Sequence, residues 1–363
     1  MTAVRCSSAP VLLPPNPVWR SYAGGRALRA FRGQNATDDN NYPEDWLASD
    51  VRARNGAFTQ HPDEGLSLVQ DGGEMRLLSH LLKARPEFWF GPSATSLAEY
   101  STGVLWKLLD SSVRLQLQAH PDQSFARSRL NSIAGKTECW YILQTRGPAH
   151  VYLGFQRPPA RAEWARMLRE QRVEEMLACF DPIPVKPGDC FVVPAGTPHA
   201  IGAGIFMLEL QEPTDWVVRC EATNAGLELP AEACFMGLDL ERCLDVFDFR
   251  AHSEDEVRTC FQQKPHVVNR ANSFHEEEII GEAYHEFFRL HRVRGNGDAR
   301  WAGNELMLMI MLTGRATVQT GEDAREISAG QTWLLPGSVA EWTLTTDDKW
   351  DMLLAKLPVP RNT

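Results

Sequence analysis

The chain has 363 residues, a length that favours two domains or one large elaborated one. Apolar residues make up 43% and charged residues 23%, which excludes wholesale disorder, and no run approaches the roughly 20 apolar residues of a membrane helix. The net charge of −10, from 47 acids against 37 bases, argues against a general nucleic-acid binder, because phosphate backbones reward a basic surface; a small anion held by a local Arg/Lys pocket stays open.

Met1 to Pro17 holds one Arg and four Pro without a compact apolar stretch, which speaks against a secretory signal. Residues 1 to 72 are rich in Pro, Gly, Asn and Asp and read as short strands and long loops. From Gly73 to Phe88, Met75, Leu77, Leu78, Leu81 and Leu82 recur at helical spacing before Pro86, which predicts a helix. Strands are predicted at Leu105–Leu109, Val113–Ala119, Cys139–Leu143 and His150–Phe155. A second helix is predicted over Ala160–Phe180, where Trp164, Met167, Leu168, Val173, Met176 and Leu177 fit a 3.6-residue period. Strands return between Ile183 and Leu210, with Pro187-Gly188-Asp189 as a turn and Cys190–Val193 as a strand. A mixed stretch runs from Pro230 to about Arg270. A last strand set then follows at Phe287–Val293, Leu306–Leu312, Ala316–Thr320, Thr332–Leu335 and Glu341–Thr345.

The two strand sets echo each other. P-G-D-C-F-V-V-P (187–194) resembles A-G-Q-T-W-L-L-P (329–336), and G-P-A-H-V (147–151) resembles G-R-A-T-V (314–318), which suggests a duplicated β-barrel domain. The cysteines, at 6, 139, 179, 190, 220, 234, 243 and 260, form no C-x-x-C pair. A chain this long needs no disulfide staples, so they read as reduced thiols of a cytoplasmic protein.

The chemistry concentrates in L-Q-L-Q-A-H-P-D (115–122). Gln118 and His120 are two apart on a predicted strand and leave the same face. Glu138 begins the next strand, and His199 ends a later one in V-P-A-G-T-P-H-A-I. If these converge inside a small barrel, two imidazoles, a carboxylate and an amide oxygen make a site for a divalent transition metal. Taken singly, each also has an ordinary reading: a surface or core histidine, a salt-bridging glutamate, a polar glutamine.

Four ordered segments, Q-A-H-P-D (118–122), G-K-T-E-C-W-Y (135–141), K-P-G-D-C-F-V-V-P-A-G-T-P-H-A-I (186–201) and L-E-L-Q-E-P-T-D-W-V-V-R (208–219), resemble type I mannose-6-phosphate isomerases of the cupin superfamily. Y-A-G-G (22–25) and P-E-D-W (43–46) are weaker echoes. The resemblance implies a mainly β fold with helical insertions and two cupin-type jelly-roll barrels, only the first with a metal site. Residues 1–250 would form the catalytic domain, with insertions at about 73–88 and 160–180, and 251–363 a degenerate structural barrel. It implies one Zn2+ per chain on Gln118, His120, Glu138 and His199, other divalent metals being compatible with the same donors. The implied reaction interconverts mannose 6-phosphate and fructose 6-phosphate through an enediolate, so the implied partner is a small sugar phosphate rather than nucleic acid or membrane. Arg219 would be the catalytic arginine and Glu209 a proton shuttle, with Lys136 and Lys107 in the pocket. Gln116 departs from the serine common in the family near the phosphate. A non-catalytic cupin that binds a sugar or sugar phosphate is the alternative. In the second set, Glu341 aligns with His199, and Glu305 with Glu138 in a separate register, without an imidazole equivalent. His275, His285 and His291 read as solvated or core histidines, and Glu276 to Glu278 as a solvated face.

Overall fold

The computed structural model describes residues 9–92, 101–224 and 226–359. Among these residues, every ladder between strands is antiparallel. The sheet central to function has six strands, in spatial order Cys190–Val193, Glu138–Thr145, Ile205–Gln211, Leu105–Ser111, Glu44–Leu47 and Pro17–Val18. A second sheet, Ile183–Val185, Ala149–Leu153, His199–Ile201, Gln118–Ala119 and Val218–Arg219, faces it. Trp140 and Ile142 from one sheet and Val151, Leu153 and Ile201 from the other fill part of the space between them. Leu105–Ser111 and Ile205–Gln211 are buried along their whole length, which is why they read as apolar runs rather than as alternation.

The second half repeats this plan, with four strands instead of five in the facing sheet and Val11–Leu12 added at the edge of the larger one. Thr332–Leu335, Met307–Thr313, Trp350–Lys356, Arg289–Gly295, Phe274–Glu278 and His266–Arg270 follow one another in the same spatial order as the first six. Ala299–Ala302, Glu341–Thr345, Arg315–Thr320 and Asp323–Ser328 cover them, around a core of Met307, Met309, Met352, Trp342 and Leu344. The short sequence echoes thus mark a structural duplication.

The two six-strand arrays stack back to back. Leu108, Tyr141, Val192, Leu208 and Leu210 share one core with Leu308, Ile310, Leu334, Leu353 and Ala355. Each array therefore buries one apolar face of its central strands against the other. Val11–Leu12 pairs with the Thr332–Leu335 strand, so the start of the described chain is stitched onto the second half.

Several elements differ from the sequence-based expectation. The helix expected over Gly73–Phe88 begins only at Leu78, because Glu74–Leu77 pairs with Leu68–Asp71 across a Gly72-Gly73 turn. Pro86 starts a separate helix, Pro86–Phe90, where its missing N–H costs nothing. The Ala160–Phe180 helix is two helices, Arg161–Glu170 and Val173–Leu177, broken where Gln171 turns left-handed at φ 53°. The strand expected from Val113 shrinks to Gln118–Ala119. Trp350–Lys356 escaped detection because Met, Leu, Ala and Lys are good helix formers; its place between two strands overrides that preference. The seven described cysteines are free thiols, and Cys6 lies outside the described residues.

Candidate active site

Glu138 pairs with Val193 on one side and Gln211 on the other, and its side chain is fully buried between the facing sheets. Glu209 stands opposite both Lys107 and Trp140 in the adjacent strands, two residues along from the Glu138 row, so all four share one face. From the other sheet, Arg219, Gln118 and His199 stand side by side across three strands. His120 follows immediately after Gln118–Ala119.

These two surfaces meet at one point. Nε2 of His120 lies 3.2 Å from Glu138 Oε2, and Nε2 of His199 lies 3.1 Å from Glu138 Oε1. The Gln118 amide is 3.1 Å from His199 Nε2, and turning that amide presents its oxygen instead. Each imidazole is held from behind: Nδ1 of His120 lies 3.0 Å from the Trp216 carbonyl, and Nδ1 of His199 lies 2.9 Å from the Thr197 carbonyl. A carbonyl can only accept, so Nδ1 carries the proton and the Nε2 lone pair faces the centre, as metal ligation requires. Burial, and next the Lys136 ammonium, push His120 down to about 3, so the ring is neutral. Glu138 lies well below the usual carboxylate range, since the nearby cations outweigh its burial. Lys136 Nζ is 2.9 Å from both His120 Nε2 and Glu138 Oε2, and Trp140 Nε1 donates to Glu138 Oε1 at 3.0 Å. Among the described residues, His120, Glu138 and His199 are the group whose donor atoms lie close enough together to hold a metal ion. Two neutral imidazoles and one ionised carboxylate suit a divalent transition metal.

The motifs have local reasons. Asp122 caps the Gln123–Arg129 helix by accepting from the Phe125 N–H at 2.7 Å. Gly135 packs against that start: a Cβ there would lie 2.6 Å from the Gln123 nitrogen and 2.8 Å from the Pro121 carbonyl oxygen. The Lys136 N–H donates to that carbonyl at 2.9 Å, locking the Gly-Lys-Thr-Glu segment onto the His-Pro-Asp segment.

The metal-capable group borders a pocket walled by Lys107, Lys136, Glu209, Gln118 and Arg219 among others. Lys107 Nζ bonds Glu209 at 2.7 Å, and Arg219 Nη1 donates to the Ala233 carbonyl at 2.9 Å. Gln116 also lines the pocket, its amide donating to the Glu221 carbonyl.

Known proteins are similar to this chain in sequence and fold. No family model matches the chain. A probable mannose-6-phosphate isomerase of Bacillus subtilis is 28% identical over 290 residues, covering 77% of this chain and 82% of that protein. The mannose-6-phosphate isomerase of Streptococcus mutans is 27% identical over 304 residues, covering 83% and 88%. The crystal structure of the mannose 6-phosphate isomerase from Bacillus subtilis shares the fold, with a TM-score of 0.73 at 20% identity over 96% of this chain and 99% of that one. Along most of its length the chain is similar to mannose-6-phosphate isomerases.

Sequence reasoning missed the layer behind the pocket. Arg20 donates to Glu44 at 2.9 Å and forks onto both oxygens of Asp215 at 3.2 Å. Asp215 is thus paired with Arg20, not with Arg219. Tyr22 donates to Glu44 Oε1 at 2.6 Å, and Trp46 Nε1 donates to Glu44 Oε2 at 2.7 Å. The echoes Y-A-G-G and P-E-D-W, which contain Tyr22, Glu44 and Trp46, were the available signal.

The duplicate has lost this site. Met307 pairs with Leu335 as Glu138 pairs with Val193, so a thioether occupies the carboxylate position. Trp342 pairs with Trp301 as His199 pairs with Gln118, and the indoles stack at 4.1 Å. Two residues on, Leu344 pairs with Val318 as Ile201 pairs with Val151, which fixes that correspondence. Glu341 and Glu305 therefore do not hold the expected places; Glu341 is exposed and binds Arg300, and Glu305 binds Arg289. A one-residue offset puts a strand residue on the opposite face. The expected solvated acidic face also needs correction, since Glu276 is buried and lies 2.7 Å from His291 Nδ1.

Proposed function

We propose that this chain is a zinc-dependent aldose–ketose isomerase that interconverts mannose 6-phosphate and fructose 6-phosphate through an enediolate. The observation that carries the proposal is the buried His120–Glu138–His199 group at a pocket that also holds a carboxylate–lysine pair and an arginine, in a chain similar to mannose-6-phosphate isomerases. Gln118, His120, Glu138 and His199 would hold one zinc per chain, and manganese or cobalt suits the same donors. Bound zinc supplies a fixed positive charge for the negative charge that develops on the substrate oxygens.

The chain's own residues do the rest. Glu209 is the proton carrier between the first and second sugar carbons. Burial lifts its carboxyl above the ordinary range even though Lys107 opposes the shift, and a base tuned toward neutrality both takes and returns a proton. Burial alone would lower Lys107, yet Glu209 and Glu44 hold it above its ordinary value, so it remains an ammonium beside the shuttle. Arg219 polarises the substrate oxygen next to Gln118. Burial lowers its pKa, but a guanidinium retains its proton, and the bond to Ala233 fixes its fork. Lys136 orients His120 and Glu138. We read the two sheet pairs as cupin-type jelly-roll barrels, with residues 1–250 catalytic and 251–363 structural, in a protein of the cytoplasm.

A coupled assay tests this. Purified protein is expected to turn over mannose 6-phosphate, to lose that activity on chelation and to regain it with zinc. Absence of turnover at full metal occupancy would transfer the chain to the alternative class, a sugar-phosphate-binding cupin without catalysis.

A further inference from the structure

The pocket leaves one charge balance open. Its wall and the adjoining metal-capable group bring together five cations, Arg20, Arg54, Lys107, Lys136 and Arg219, and four carboxylates, Glu44, Glu138, Glu209 and Asp215. Every carboxylate is matched: Glu44 and Asp215 with Arg20, Glu209 with Lys107, Glu138 with Lys136. Arg54 and Arg219 have no carboxylate within ion-pair distance among the described residues. Arg219 is committed to the reacting end by its place beside Gln118. Arg54 is not.

Arg54 differs from the other four cations in being exposed, in the loop after Glu44–Leu47. Its position is nonetheless set from two directions. Its backbone N–H donates to Asp215 Oδ2 at 2.8 Å, and its guanidinium carbon lies 3.6 Å from the centroid of the Trp216 ring. Stacking fixes the plane of the guanidinium and leaves its N–H edge free to bond. The carbonyl of the same Trp216 holds Nδ1 of His120. A single tryptophan therefore links the metal-capable centre, through its backbone, to a rim cation, through its ring. Partial burial lowers Arg54, and the nearby Asp215, already paired with Arg20, offsets this only in part.

We infer that Arg54 is the residue at the pocket rim that receives the phosphate of the substrate and so determines selection of a phosphorylated over a neutral sugar. The inference rests on the isomerase reading above for its substrate and adds a residue to it. A phosphate dianion bound there meets a planar, pre-oriented N–H edge suited to two oxygens at once. The indole then sets the distance between the anchored end of the sugar phosphate and its reacting end.

The test compares wild type with Arg54→Ala and Arg54→Lys, and with Arg52→Ala as a control on the same loop, where Arg52 pairs with exposed Asp63. Metal content and melting temperature report folding. For Arg54→Ala the KM for mannose 6-phosphate is expected to rise roughly 10- to 100-fold with kcat within about threefold, because the lost bond is made equally in ground and transition states. The Kd for inorganic phosphate, by calorimetry, should rise in parallel, with Arg54→Lys in between and Arg52→Ala unchanged. A KM and phosphate Kd within about twofold of wild type would overturn the inference, as would a fall in kcat at constant KM. Failure of the parent reading looks different: the wild type itself would not isomerise mannose 6-phosphate, and Arg54 would then be judged on phosphate affinity alone, an unchanged value again overturning it.

Discussion

Glu44 shows how a single buried carboxylate makes the pocket sensitive to acid. Burial alone would raise it, but Arg20 and Lys107 outweigh that, and with Tyr22 and Trp46 donating to its oxygens it is lowered from 4.5 to about 2. The folded chain therefore binds fewer protons at this group than the unfolded chain between those values, and stability rises with pH across the window. Its contribution, on the order of 3 kcal/mol, should be fully present above about pH 4.5 and should fade as pH falls toward 2. Denaturant titrations of wild type and Glu44→Gln at pH 6 and pH 3 check this: the gap between the two proteins should narrow in acid, and a constant gap would refute the assignment. At the metal-capable group, His120→Ala or His199→Ala removes one of two imidazoles from a closed donor set, so metal analysis should find the ion lost together with activity. Arg219→Ala should retain the metal and lose turnover; normal turnover would show that its guanidinium does not touch the reacting oxygens.

The element that shapes the pocket wall is not a strand but the Trp19–Gly25 segment. It is tied down at both ends, by Arg20 N–H to the Asn41 carbonyl at 2.9 Å and by reciprocal bonds between Gly24 and Asn40 at 2.8 Å. Gly24 packs against the Leu105–Ser111 strand so closely that a Cβ would lie 1.7 Å from the Asp110 carbonyl oxygen and 2.9 Å from Pro43 Cβ. Gly24→Ala must push the segment off the sheet and displace Tyr22 and Arg20 with it. We expect a loss of roughly 3 kcal/mol, read as a lower melting temperature, and a larger relative loss of activity than of metal content. Y-A-G-G was legible as a motif, but its reason was not, because Asp110 is 86 positions away from Gly24 along the chain.

At the scale of the molecule, the two sheet pairs share their largest core, so the central strands of each six-strand array are covered by the other half. Leu308, in the half without the site, is fully buried in that shared core. Leu308→Ala should cost about 2–5 kcal/mol and lower the melting of the whole chain in one transition, including loss of the distant activity. A calorimetric trace in which the site-bearing half melts separately and unchanged would show that the halves are independent.

The sequence by itself determined which residues could perform chemistry and, through two short echoes, that the strand plan is repeated. The four donor positions were readable as a candidate set from their places on predicted strands, whereas Lys107, Lys136, Glu209 and Arg219 were readable mainly through the family resemblance. Only the tertiary structure decided what each of them meets. It assigned Asp215 to Arg20 rather than to Arg219, turned Trp342 and Met307 into the duplicate's ligand positions, and laid Arg54 on Trp216 at the rim. The physical reason is common to all three. Pairing register and ion pairing depend on contacts between segments distant in sequence, and a one-residue offset in a strand reverses its faces without changing its composition.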